Sequence, residues 1–205
     1  MMVIGLTGGI GSGKSSAVRH LARRGIPVIR ADEVARQLLD GDPAVRRLVI
    51  RSFGRDIYPE GGRADRRKLA SAVFGHPEAL ARLNAILHPR TRRETERQIR
   101  RLNGRSAMVV IEAALLYEAE WDRMCDIVVA VTAPLRVRIA RVCRRDGVSR
   151  ASVMRRIRAQ MPEAEKVRRA DIVLRNDAGA DVLTRRCRFL ALILRELAEV
   201  REKRR

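Results

Sequence analysis

Lys14 and Ser15 close a glycine-rich segment, Gly8-x-x-x-x-Gly13-Lys14-Ser15, near the start of the chain. A cation and a hydroxyl set side by side after such a segment suit polyphosphate chemistry. The glycines at 8, 9, 11 and 13 free the backbone to turn its N–H groups around an anion. The helix that follows aims its unsatisfied N–H groups and positive dipole end at the same anion. Lys14 then reaches the β- and γ-phosphates, and Ser15 is placed to ligate Mg²⁺. The expected nucleotide-binding residues are therefore Gly9, Ile10, Gly11, Ser12, Gly13, Lys14, Ser15 and Ser16. Two carboxylates follow apolar runs. Asp32 reads either as a general base for an acceptor hydroxyl or as a helix cap. Glu112 reads either as a Mg²⁺ ligand in the manner of a Walker B acid or as a solvated strand end. Two arginine-rich stretches, 135–145 and 149–160, have the character of a lid, in which one arginine on a transferring phosphoryl group can be worth about 10³ to 10⁵ in rate.

The elements that position these residues alternate between strand and helix. Val3 to Leu6 reads as a buried strand, and Ala17, Val18, Leu21 and Ala22 fall at helical spacing. Gly25 stops that helix and residues 26–29 form a second strand, with Asp32 just beyond its carboxyl end. From 42 to 104 the texture is helical. Asp42-Pro43 and Asp65 open helices, 54–62 is a turn or short hairpin, and Pro77 opens another helix. His88-Pro89 is expected to break that helix and start a new one to about 101. Further strands are expected at 107–112, 127–131 and 171–174. Pro134 opens the first lid helix, Gly147 ends it and Ser149 caps the second, which closes at Gln160-Met161-Pro162. In the last helix Leu183, Cys187, Leu190, Leu194 and Leu197 form a stripe for packing on the sheet. These elements predict an α/β, three-layer P-loop NTPase fold with a parallel sheet. One kinase domain over 1–205 is expected: a core at about 1–40, 105–135 and 170–205, a helical substrate-side insertion at about 41–104, and a lid at about 136–169.

Composition narrows the classes. The net charge is +20, carried by 40 Arg and only 4 Lys among 205 residues. The arginines are dispersed over every helix, which fits a genome-wide composition bias more than a surface field selected to attract polyanionic substrates. Six scattered aromatic residues offer no base-stacking platform, so no obligate nucleic-acid partner is expected. The three cysteines form no C-x-x-C and read as reduced packing residues. The longest apolar stretch, 107–117, is too short for a bilayer and contains Glu112, so a soluble, cytoplasmic protein without a membrane partner is expected.

Several motifs, in order, resemble the dephospho-coenzyme A kinase family from end to end. They are Leu6 to Ser15 (LTGGIGSGKS), Arg30 to Arg36 (RADEVAR), Leu87-His88-Pro89, Leu115-Leu116-Tyr117-Glu118, Arg145 to Arg150 (RDGVSR), Arg156 to Gln160 (RIRAQ) and Ala170 to Asn176 (ADIVLRN). The resemblance implies ATP-dependent phosphorylation of the ribose 3′-hydroxyl of dephospho-coenzyme A, with ATP and dephospho-coenzyme A as small-molecule substrates. It implies Asp32 as base, and Lys14, Ser15 and Mg²⁺ on the ATP phosphates. Arg141 is implied as the lid arginine, Asn176 as a contact to adenine, and His88, Leu115, Leu116, Tyr117 and Glu118 as the acceptor lining. Arg30 stands where the family usually has the first Asp of D-A-D, and Ala114 where many members have proline. Two other classes fit the residues: another small-molecule or nucleoside monophosphate kinase, and a basic nucleic-acid-binding protein.

Overall fold

The computed structural model describes residues 1–59, 62–73 and 75–203. Five strands, β1 (Met2–Thr7), β2 (Val28–Arg30), β3 (Met108–Glu112), β4 (Ile127–Thr132) and β5 (Ile172–Arg175), form one sheet. All neighbours pair in parallel, in the order β2-β3-β1-β4-β5. The register sets Leu6 and Arg30 on either side of Glu112. Helices are α1 (Lys14–Ala22), α2 (Ala31–Gly41), α3 (Pro43–Phe53), α4 (Arg66–Val73), α5 (Pro77–Leu102), α6 (Leu135–Asp146), α7 (Arg150–Arg158), α8 (Glu163–Arg169) and α9 (Ala180–Lys203). The chain divides into two compact units, one of Met1–Arg30 with Ile99–Arg205 and one of Ala31–Gln98.

In the first unit, the strand period of two sends Met2, Ile4 and Leu6 of β1 to one face, with Met108 and Val110 of β3 and Val129 and Val131 of β4. There they meet Val18 and Leu21 of α1 and Leu183, Cys187, Leu190 and Leu194 of α9. The expected stripe on α9 holds as far as Leu194. Leu197 is exposed and Ala198 takes the inward place, because the buried face of a 3.6-residue helix has rotated past 197 by that turn. On the other face, Leu116 and Cys125 press so close to Gly5 that a Cβ there would lie 2.8 Å from each. The lid has its own small core, in which Ile139, Val142 and Val153 are buried with Ile10 packed against them. Gly147, at φ 65, ends α6, and Ser149 Oγ accepts the Ser152 N–H to cap α7.

The second unit is helical around Leu39, Val45, Val49, Ile57, Tyr58, Leu69, Leu83 and Ile86. Asp42 caps α3 by accepting the N–H groups of Ala44 and Val45, and Asp65 accepts those of Arg67 and Lys68. Of the turn expected over 54–62, Glu60 and Gly61 lie outside the described residues; Arg55–Ile57 is a single 3-10 turn. The expected break at His88-Pro89 does not occur, since α5 runs unbroken through Pro89. An interior proline costs a helix roughly 3 kcal/mol because a backbone donor is lost and a carbonyl is crowded. Buried residues flank it on both sides, Leu83 and Ile86 before and Thr91 and Thr95 after, while Arg90 donates to the Ile86 carbonyl at 2.9 Å and Thr91 to the Leu87 carbonyl at 2.8 Å. Among the described residues no helix is long and apolar enough to cross a membrane.

Candidate active site

The glycine loop joins β1 to α1 at the carboxyl edge of the sheet. Gly13 has φ 97, and a Cβ there would meet the Asn176 Nδ2 at 2.0 Å, so only glycine lets the loop lie this close to the end of β5. Asn176 is buried and donates to the Ser12 carbonyl at 2.7 Å. Its Oδ1 accepts from Arg141 at 3.4 Å, and its own carbonyl accepts from the same guanidinium at 3.2 Å. Asn176 thus fastens loop, lid and β5 together.

Lys14 folds back over the loop and donates to the carbonyls of Gly8 and Gly9 at 2.9 and 3.2 Å. Next to it, Ser15 Oγ donates to Glu112 Oε1 at 2.9 Å, and Glu112 Oε2 lies 3.3 Å from Arg30 Nε. The sheet register explains this grouping: Glu112 ends the strand that runs between β1, which feeds the loop, and β2, which ends on Arg30. A hydroxyl and a carboxylate oxygen at this distance form a hard-oxygen pair suited to Mg²⁺, which takes one or two carboxylates and completes its shell with phosphates and water. No group of three His, Cys, Asp or Glu that could hold a metal ion occurs among the described residues.

The lid grips the loop at Ile10. Gln160 Oε1 accepts the Ile10 N–H at 3.0 Å and Arg138 Nε donates to the Ile10 carbonyl at 3.0 Å. Ile10 is among the expected nucleotide-binding residues; its amide is held by Gln160, and its side chain packs against the lid core. Arg138 is buried and ion-paired with Glu163, whose other oxygen accepts from Thr132 Oγ1 at 2.8 Å. Ser16 Oγ accepts from Arg19 on the exposed side of α1.

After Glu112, the expected acceptor segment turns back under the sheet. Leu115 is half-buried; Leu116 and Tyr117 are buried. The Tyr117 hydroxyl finds no hydrogen-bond partner among the described residues, Arg169 lies 4.3 Å over its ring, and burial pushes its pKa up to about 12. Glu118 accepts the Met161 N–H at 2.8 Å and pairs with Lys166 at 2.9 Å. Asp32 and His88 belong to the second unit. Asp32 is exposed in the first turn of α2 and holds no hydrogen bond or ion pair among the described residues, so it does not act as a side-chain cap. His88 is half-buried on α5, and desolvation lowers its pKa below 6.5.

Sequence reasoning missed α8 with Glu163 and Lys166, and missed the gripping role of Gln160. Pro162 both follows the end of α7 and is the N-terminal boundary of α8. The signal lay in Pro162 followed by Glu163 and Glu165, a proline and acids at a helix start. The four-residue gap after α7 hid it.

A parallel sheet of this order, with a glycine loop, a Lys-Ser pair against a strand-end carboxylate and an arginine lid docked on the loop, defines a phosphate-loop kinase. The family model described as dephospho-CoA kinase matches residues 2–181. A dephospho-CoA kinase of Carboxydothermus hydrogenoformans is 41% identical over 181 residues, covering 87% of each chain. A solved structure from Thermus thermophilus, TT1252, shares 39% identity at TM-score 0.80 and covers 96% of this chain and 97% of that one. The dephospho-CoA kinase of Campylobacter jejuni shares the fold, with TM-score 0.71 and 22% identity over 97% and 98% of the two chains. The chain belongs to the dephospho-CoA kinase family.

Proposed function

We propose that this chain transfers the γ-phosphoryl group of ATP to the ribose 3′-hydroxyl of dephospho-coenzyme A, giving coenzyme A and ADP. The observation that carries the residue assignment is the Ser15–Glu112 hydrogen bond beside Lys14 at the end of the loop. The acceptor oxygen forms a bond to the γ-phosphorus as the bond to the β,γ-bridging oxygen breaks. The hydroxyl proton passes to the Asp32 carboxylate, and ADP leaves. Lys14 leaves its loop carbonyls to neutralise the β- and γ-phosphate oxygens, and Arg141 balances charge on the moving phosphoryl. Ser15 and Glu112 would hold Mg²⁺, which would supply neutralisation of phosphate charge when bound. Leu115, Leu116, Tyr117, Glu118 and His88 form the acceptor lining in this reading. The unmet hydrogen bond of Tyr117 supports that assignment. Asn176 contributes by holding the loop against β5, with adenine alongside.

The lid is read as 136–169 and the insertion as 41–104, parts of one kinase domain. The substrates are dissolved small molecules, so the reaction calls for neither a membrane nor a nucleic acid, and we place it in the cytoplasm. The test is ADP release from Mg·ATP with dephospho-coenzyme A, adenosine monophosphate or shikimate as acceptor. Release driven by dephospho-coenzyme A alone, with coenzyme A as product, is the expected result. Release driven by either other acceptor overturns the acceptor assignment.

A further inference from the structure

Of the 44 basic residues, only Lys14, Lys68, Lys166 and Lys203 are lysine. In a chain this rich in arginine, the environment of each lysine can be compared directly. Lys68 and Lys203 are exposed, and Lys14 belongs to the phosphate loop. Lys166 is the remaining one, and it is fully buried, at 0% exposure. An ammonium out of water costs several kcal/mol unless it is paired and hydrogen-bonded. Its partners are specific. Nζ donates to the Ala114 carbonyl at 2.7 Å and pairs with Glu118 Oε1 at 2.9 Å. The same carboxylate oxygen accepts the Met161 N–H, so the lid's exit joins the arrangement.

These two contacts fall at the two ends of one segment. Ala114 precedes Leu115, Leu116 and Tyr117, and Glu118 follows them. A compact, fully buried point charge fixes both ends at once, which a larger planar fork in the same slot would not. On α8, Lys166 lies three residues from Glu163, on the same helical face. Glu163 holds Arg138 and, through it, the Ile10 carbonyl of the phosphate loop. One short helix thus carries separate ties to the nucleotide loop and to the segment after β3.

We propose that Lys166 is a positioning residue for the acceptor, acting through the shape of the 114–118 segment. The inference rests on the reading that 115–118 lines the acceptor site. It is tested in the full-length protein with Lys166→Met, which keeps length and removes charge, and Lys166→Arg, which keeps charge and changes shape. Steady-state rates are measured against dephospho-coenzyme A and against Mg·ATP, and nucleotide binding is measured directly by calorimetry.

Lys166→Met is expected to raise KM for dephospho-coenzyme A by about tenfold to a hundredfold, with nucleotide affinity within about twofold, as misplacement of a substrate contact does. Hydrogen exchange at the Met161 amide should quicken, and Lys166→Arg should not restore the acceptor KM. An equal rise of both KM values, or full rescue by arginine, would show a merely structural charge and overturn the proposal. Should Lys166→Met fail to fold, Lys166→Gln, which removes the charge but keeps a donor for the Ala114 carbonyl, is the substitute; it is expected to raise the acceptor KM selectively, and an unchanged KM overturns the inference. Leu115→Ala separates the two readings. If it leaves the acceptor KM unchanged, the acceptor lining itself is wrong; if it raises that KM while Lys166→Met does not, only the positioning role falls.

Discussion

Ser15 Oγ donates a 2.9 Å hydrogen bond to Glu112 Oε1, joining the first turn of α1 to the last residue of β3. Glu112 faces Arg30 with its other oxygen, so its charge is balanced by a side chain from β2. If this pair holds Mg²⁺, Glu112→Gln should raise the Mg²⁺ concentration for half-maximal rate by about tenfold. Ser15→Ala should largely erase the difference in affinity between Mg·ATP and ATP in chelator, read by calorimetry. An unchanged difference would remove Ser15 from the metal site.

Asp32 carries no partner among the described residues, so its loss should not cost the fold. Asp32→Asn is expected to lower kcat by about 10² to 10⁴, as removal of a general base does, with the melting temperature nearly unchanged. A lower melting temperature at unchanged kcat would mark it as structural.

Arg138 is buried against Glu163 and the Ile10 carbonyl. Glu163→Gln leaves a buried guanidinium without its counter-charge, a change that costs about 3 to 5 kcal/mol. Urea denaturation should show that loss, and ATP affinity should weaken with it because the grip on the loop loosens. Denaturation midpoints equal to wild type would mean the pair is solvated.

Gly13→Ala places a Cβ 2.0 Å from the Asn176 Nδ2 at a φ that disfavours it. Destabilisation of about 1 to 3 kcal/mol is expected, with nucleotide binding strongly reduced. Combining it with Asn176→Ala should recover part of the stability but not the binding, because the φ restriction remains.

Burial holds the pKa of His88 below the ordinary 6.5, and burial, followed by the charges of Arg24, Arg23 and Arg19, does the same for His20. Below pH 6.5 the unfolded chain takes up protons that the folded chain resists, so stability should fall as pH drops from 6.5 toward the folded values and stay level above. Asp146 and Asp177 are shifted below 3.8 and titrate outside that window. Denaturation midpoints at pH 5.5 and 7.5 should differ in wild type and differ less in His88→Gln. An equal difference in both would assign the effect elsewhere.

The glycine loop, the five strands, the helix caps at Asp42, Asp65 and Ser149 and the lid's first two helices were legible from residue order alone. Their causes are local: φ freedom, strand period, side-chain caps and dipole ends act within a few residues. What the sequence could not decide is which distant groups meet. Pro89 sits inside α5 with buried residues on both sides of it, Leu83 and Ile86 before and Thr91 and Thr95 after, a tertiary context that the usual breaking rule does not contain. The pairing of Ser15 with Glu112 depends on parallel register across 97 residues, and that of Arg138 with Glu163 on how the lid helices pack. Lys166 shows the division most plainly. Its rarity among arginines is written in the chain, but its burial and its contacts with Ala114 and Glu118 exist only once α8 has packed.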